Sequence, residues 1–375
     1  MADAGSSIAG SGANAANADR VLVRLLREAA LPLGVRVEAL GEGWILRLTW
    51  PASGAGTERP LRVRHVHGYA FDLNPAATHM IACDKAATAE VLASAGVACV
   101  PHRLVLHPSM SKFVPMREGS WRTMLSAFEE WGRDVVVKEN EGTGGRGVSR
   151  CTSVIELERA AYGLLARHDS LAVCPYVPIA SETRLVVLHG ACVLAYEKVR
   201  ATVVGDGVHS VLQLMTRASE RAHERARERA TTHAASGKAH ADAGDEVGSL
   251  SRAATAALLE NLAEDERGLL TRVPAVGAVV PLNWRHNLGQ GATARVLRED
   301  SAELAEHVRL ARAAAEALNL RFGSVDVVRD EAGRLRILEI NSGVMMEFLA
   351  RTLPEGEAIA RRVYGAALAA MGEAP

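Results

Sequence analysis

Cysteine is scarce in this chain and is nowhere paired. Cys83, Cys99, Cys151, Cys174 and Cys192 are scattered, and no C-x-x-C occurs. That argues against a structural zinc site and against a disulfide framework, and it favours a reducing, cytoplasmic setting. A charge of one sign is also missing: 43 Lys and Arg face 44 Asp and Glu, a formal net charge of -1. Bulk electrostatics therefore draw the chain neither to nucleic acid nor to anionic lipid, and neither partner is expected. An anionic ligand has to be held by a local cluster of donors. No apolar run reaches the roughly 18 residues of a membrane-spanning helix. The first residues, MADAGSSIAGSGANAANAD, contain no hydrophobic block of the kind a signal peptide needs. They are too polar to offset their ordering entropy, so a disordered tail is expected over 1–19.

What is present suits a mixed α/β protein. Hydrophobic residues make up 48% of 375 positions, enough for a large core divided into two domains or lobes. Val21, Leu22, Leu25, Leu26 and Ala29 share one helical face. VRVEAL and WILRLTW alternate as strands do, Ala52–Pro60 reads as a turn or loop, and LRVRHVHGYAFDL reads as a strand leading into a loop. Together these predict a small α/β unit over 20–80. Asp84 is placed as the N-cap of a helix that Gly96 ends, and Val97–Val105 reads as strand-like, interrupted by Pro101. Further helices are predicted over 121–131, 154–167, 301–318 and 355–371. From Arg217 to Arg272 the composition turns to Ala, Arg, Glu and His, which predicts a charged, solvated helical insertion.

Chemistry concentrates in four places. The apolar strand Asp134–Asn140 delivers Lys138 and runs into Glu141–Val148, with glycines at 142, 144, 145 and 147. Glycines let backbone N–H groups approach a phosphate, and Lys138 adds a compact positive charge. The motif lacks the Gly-Lys-Ser/Thr ending of a Walker A loop and the third glycine of a Rossmann fingerprint. Taken alone it also fits an ordinary hairpin. Near the other end, Asp326 sits among valines, and Glu339 and Asn341 alternate on the next strand, on one face. Buried carboxylates on adjacent strands repel and lose hydration, and a divalent cation resolves both costs. Oxygen ligands of these types suit Mg²⁺. Third, Glu182 and Arg184 alternate on one strand, and Lys198 and Arg200 on another, as rows of charge suited to phosphate and carboxylate. Fourth, NWRHNLGQGA places Arg285 and Asn287 in a glycine-punctuated loop.

In this order, the segments DKAATAEVLASAGVACVP, VVVKENEGTGGRGV, ETRLVVLHGACVLAYEKV, VVGDGVHSVLQL, VPLNWRHNLGQGA and SVDVV with LEINS resemble the ATP-grasp superfamily. The likeness is to its carboxylate–amine ligase branch, that of cyanophycin synthetase, RimK-type glutamate ligase and glutathione synthetase, and it spans about residues 83–345. The resemblance implies an α+β, ATP-grasp fold, in which two lobes (81–177 and 178–375, the second carrying the insertion) grip ATP beside the unit over 20–80. It implies ATP and Mg²⁺, with Mn²⁺ as a substitute, as cofactors. Lys138 would contact phosphates, and Glu141, Gly142, Thr143, Gly144, Gly145, Gly147 and Val148 would form the closing loop. Cys174–Val177 would be the hinge, with Pro175, Tyr176 and Val177 against adenine, and Glu182 is a candidate on the ribose side. Arg184, Arg285 and Lys198 would act on the transferring phosphoryl group. Asp326, Glu339 and Asn341 would hold the metal. Lys85 opens a helix and has no assigned role. WRHNLGQG replaces the serine-rich stretch of relatives, so the substrates are not specified.

The implied reaction joins a small-molecule carboxylate to an amine through an acyl phosphate. A thiol acceptor, a phosphoryl product, a non-catalytic nucleotide-binding regulator and a scaffold using the Arg-rich insertion are the alternatives, and self-association is left open. Replacing Lys138 by Ala is expected to weaken ATP affinity in calorimetry. Unchanged affinity means that the glycine loop has been misread.

Overall fold

Pro101 marks the point at which the chain passes from one sheet to another. In the computed structural model, which describes residues 20–51, 62–112, 119–142, 144–145, 147–218, 220, 267–290, 292–298 and 301–373, the segment before this proline pairs with the strand Leu335–Asn341. The Val100 amide donates to the Ile337 carbonyl at 2.8 Å, and the Ile337 amide to Ala98 at 2.9 Å. After it, β5 (Arg103–Leu106) joins β6 (Val135–Glu139), β7 (Ser149–Cys151) and β8 (Ser170–Pro175) in an antiparallel sheet ordered β5-β8-β6-β7. The strand-like stretch over 97–105, expected to be interrupted at Pro101, is thus two pairings, because proline has no N–H to carry a ladder through.

This first sheet is covered by α4 (Ser120–Glu130) and α5 (Val154–Leu165). Met124, Phe128, Leu157 and Leu164 fill the interface with Val135, Val137, Leu171 and Val173. A capping box fixes the start of α5: Ser153 accepts from the Glu156 amide, and Glu156 reaches back to the Ser153 amide.

The second sheet holds β9 (Ile179–Leu188), β10 (Ala191–Val199), β13 (Thr293–Val296), β14 (Phe322–Asp330) and β15 (Leu335–Asn341), in the order β13-β10-β9-β14-β15. The helix Ala302–Leu318 lies on one face, capped by Ser301 and ended by Asn319 in the left-handed conformation. Two further helices join it there, α2 (Ala76–Cys83) and α3 (Lys85–Ser94), through Ala82 and Leu92. Helix α2 falls where a loop was expected. Its sequence AATHMIAC has weak amphipathic signal, and Pro75 pre-sets the backbone at its N-cap. The Asp84 cap is as expected, accepting from the Ala87 amide at 2.8 Å.

The N-terminal unit is α1 (Val21–Ala30) on a four-stranded antiparallel sheet of β1 (Arg36–Leu40), β2 (Ile45–Trp50), β3 (Arg62–His67) and β4 (Ala70–Phe71). Leu22, Leu25 and Leu26 of α1 share a core with Leu46 and Leu48, with the C-terminal helix Gly356–Glu373, and with Phe322 of β14. Phe71 meets Phe322 edge-on at 5.0 Å and stacks on Tyr364 at 5.6 Å. Arg24–Glu357 at 2.6 Å and Arg361–Glu28 at 2.9 Å tie the first helix to the last.

Residues 1–19, Ala52–Pro60 and most of the charged insertion lie outside the described residues. The insertion's ends meet at a two-stranded ladder of β11 (Thr202–Val204) and β12 (Val279–Pro281), where the Val211 amide donates to the Arg272 carbonyl at 3.0 Å.

Because Phe71 fills the junction between the N-terminal unit and the second sheet, Phe71→Ala is expected to cost about 3–5 kcal/mol. Urea unfolding followed by circular dichroism checks this. An unshifted midpoint would show that the two cores are independent.

Candidate functional site between two sheets

Asp326 is the most enclosed carboxylate among the described residues, at 2% exposure. Strand β14 places it opposite Arg184 on β9 and opposite Glu339 on β15. Arg184 clamps it with two bonds, Nε and Nη2 each 2.7 Å from a carboxylate oxygen. Lys198 of β10 adds a third at 2.8 Å and also donates to Glu182. Burial opposes the charged form of Asp326, but the Arg184 and Lys198 cations overcome it and hold the carboxyl well below the usual carboxylate range. Burial and the neighbouring Arg184 would lower Lys198, yet Asp326 and Glu182 outweigh them and its pKa rises.

Glu182, Arg184 and Lys198, which the sequence placed in two rows of charge, therefore form one network with Asp326, and Arg200 is outside it. Asp326, expected as a metal ligand, has its oxygens engaged by Arg184 and Lys198. A buried carboxylate has to be neutralised, and these cations are the neighbours its register supplies. Arg200 lies just past the end of β10.

Glu339 and Asn341 share a face of β15, as expected from their spacing. The Asn341 amide nitrogen is buried and meets no acceptor among the described residues. Amide nitrogen and oxygen exchange by a simple rotation, which would present the carbonyl oxygen at that point instead. Among the described residues, no three His, Cys, Asp or Glu side chains converge on a metal. Two carboxylates and an amide oxygen suit Mg²⁺ when the ligand contributes oxygens of its own.

Lys138 emerges buried from β6. Beside it, Lys85 at the start of α3 donates to the Asn140 carbonyl at 3.3 Å and to the Gly142 carbonyl. The Asn140 side chain accepts from the Ala86 amide at 3.1 Å, tying the helix start to the strand end. Burial lowers the pKa of Lys85, Glu339 opposes this, and Lys138 adds to it. Lys85 thus belongs with Lys138 and Glu339. Its only signal in the sequence was its place after an N-cap, which says nothing of what it faces.

The glycine loop departs from Glu139. A Cβ on Gly142 would collide with the Glu139 side chain, and Gly144 and Gly145 have φ of 76° and 70°, which favours glycine. Thr143 lies outside the described residues. The loop around 282–290 closes on this one: Arg285 donates to the Val148 carbonyl, and Asn287 to the Gly144 carbonyl at 2.8 Å. Two segments far apart in sequence therefore meet.

At Cys174–Val177, the segment expected as a hinge, the Tyr176 amide donates to the Asp134 carbonyl at 2.9 Å. The Tyr176 ring lies 3.6 Å from the Arg150 guanidinium and 5.6 Å, edge-on, from Trp284. Val136, Cys174, Val328, Leu338 and Val177 complete an apolar cluster drawn from both sheets. Pro175 ends β8 beside it. Trp284 was not singled out from the sequence, because its loop carried no periodicity to orient it.

No family model matches the chain. The cyanophycin synthetase of Nostoc sp. (strain PCC 7120) is 26% identical over 299 residues, 77% of this chain, and that of Trichormus variabilis is 25% identical over the same length. The chain spans only 29% of the length of either relative. Among solved structures, a bifunctional glutathione synthetase from Pasteurella multocida aligns with a TM-score of 0.49 and 20% identity, over 89% of this chain and 42% of that one. A D-alanine–D-alanine ligase from Bacillus anthracis aligns at 0.45 and 13%, over 80% and 69%. No helix among the described residues is long and apolar enough to cross a membrane.

Unfolded, Asp326 titrates near pH 4, whereas the folded carboxylate stays charged to lower pH. Its contribution is complete above about pH 4 and is lost as pH falls through the depressed folded value. Asp326→Asn takes the carboxylate clamp from Arg184 and leaves Lys198 with Glu182 alone, and is expected to cost about 3–5 kcal/mol at pH 7. The gap from wild type should narrow as pH falls below about 4, read by thermal unfolding across pH. A gap that does not change with pH refutes the account.

Proposed function

We propose that this chain is an ATP-dependent ligase that joins a small-molecule carboxylate to an amine and releases ADP and phosphate. The observation that carries this reading is the meeting of Lys85, Lys138 and Arg184 with the carboxylates Asp326 and Glu339, beside an aromatic and apolar cluster, between two sheets. Apolar and aromatic side chains for a base, next to cations and two carboxylates, suit a nucleoside triphosphate with its metal. The similarity to cyanophycin synthetases supports amino-acid or peptide substrates. Free thiols at all five cysteines agree with a cytoplasmic setting.

Each residue then has a task. Glu339 and Asn341 would hold Mg²⁺, or Mn²⁺ in its place, and Asp326 could lend an oxygen, since a carboxylate has about four lone-pair sites. The metal when bound neutralises charge on the β- and γ-phosphates. Lys138 and Lys85 meet phosphate oxygens. Arg184 and Arg285 stabilise charge on the transferring phosphoryl group, and Lys198 fixes Asp326 and Glu182. Tyr176 and Val177 line the base. A carboxylate oxygen of the substrate attacks the γ-phosphorus, and the bond to the bridging oxygen breaks to release ADP. The closed glycine loop, latched by Arg285 and Asn287, keeps water from the resulting acyl phosphate. The amine nitrogen attacks the carbonyl carbon, phosphate leaves, and the nitrogen loses its extra proton to give an amide. The lobes at 81–177 and 178–375 supply the two walls of this site.

The test is ADP release with ATP, Mg²⁺ and pooled amino acids and small peptides, with products read by mass spectrometry. A product equal to two substrates less water is expected. Glu339→Gln should stay folded and lose turnover by at least ~10-fold, since even outer-shell changes at metal sites cost 10–100-fold. Near-normal ADP formation in that variant would sink the metal assignment.

A further inference from the structure

His286, two residues from Trp284 and anchored on the Lys198 backbone, has a buried atom with no partner among the described residues. Its Nδ1 lies 2.8 Å from the Lys198 carbonyl. A carbonyl only accepts, so Nδ1 carries the proton and Nε2 presents a bare lone pair. The side chain is 6% exposed, and Nε2 meets no donor among the described residues. Buried polar atoms in folded proteins are nearly always partnered. Burial lowers the His286 pKa against the opposing charge of Glu182, which keeps the ring neutral and the lone pair available.

The position says what kind of donor fits. Two residues earlier, Trp284 packs against Tyr176 in the apolar cluster. The Lys198 side chain, whose backbone carbonyl anchors the ring, reaches Glu182 and Asp326 beside Arg184. A nucleotide lying with its base on the cluster and its phosphates at the cations has its sugar in between. A ribose offers two hydroxyl donors there.

We propose that His286 Nε2 accepts a hydrogen bond from a ribose hydroxyl and makes the site selective for ribonucleotides over deoxyribonucleotides. This rests on the nucleotide reading above and assigns a contact that Glu182, already engaged by Lys198, does not supply alone.

Calorimetric titration tests it without turnover. ATP, 2′-deoxy-ATP and 3′-deoxy-ATP are titrated with Mg²⁺ into wild type, His286→Leu and His286→Gln, with neither carboxylate nor amine present. Wild type is expected to bind ATP roughly 10- to 100-fold more tightly than at least one deoxy analogue, the range for leaving one buried acceptor unpaired. His286→Leu should reduce that preference to within about threefold, and His286→Gln, which keeps an acceptor oxygen, should restore part of it. If the Leu variant does not fold, the wild-type ratios and the Gln variant still decide. Equal wild-type affinity for ATP and both analogues overturns the assignment, as does a full preference in the Leu variant, and either result leaves the nucleotide reading standing. No ATP binding by folded wild type overturns both.

Discussion

A carboxylate that cannot reach water organises this molecule. Asp326 sits inside a five-stranded sheet and remains charged because Arg184 and Lys198, from two strands on the same side of its own, both bond its carboxylate. Those two cations come from different strands, so the pairing order β10-β9-β14 is a condition for the charge to be tolerated at all. A register slip by one residue would turn every one of these side chains to the opposite face. The irregularity in the ladder after Asp326 falls where β14 turns from this charged pairing to the apolar run beyond it.

The remaining architecture holds that sheet against its neighbour. The first helix and the last are bound by Arg24, Glu28, Glu357 and Arg361, and the aromatic rings of Phe71, Phe322 and Tyr364 lock them to the sheet. On the opposite face, helices α2, α3 and Ala302–Leu318 bury Ala82, Leu92 and Leu304. The start of α3 leaves that layer to place Lys85 at the end of β6 in the other sheet. The segment 98–100 does the same in reverse. These crossings set the spacing of the two walls, and with it the reach of every side chain between them.

Reading the sequence recovered most elements because their patterns are local. The strands β6, β14 and β15 are short apolar runs bounded by polar turns, and the long helix after Ser301 carries both its cap and its apolar stripe. Helix α2 was missed because its eight residues show little amphipathic contrast. The carboxylates and cations of the site were legible as residue types at alternating positions. Their mutual bonding was not, since Arg184 and Asp326 are 142 residues apart. Lys85, Trp284 and His286 acquire meaning only from partners elsewhere in the chain.

The sequence by itself determined which chemistry is available: a lysine delivered into a glycine loop, an acidic pair on adjacent strands, and arginines for phosphate. Periodicity and turn chemistry act over a few residues, and these features lie within that range. Tertiary structure alone decided that Asp326 spends its charge on Arg184 and Lys198, that the loop around Arg285 latches the glycine loop, and that a histidine lone pair remains buried beside Glu182. Each of these depends on which strand lies next to which. Long-range strand pairing is chosen by the burial of the whole core, and no local pattern encodes it.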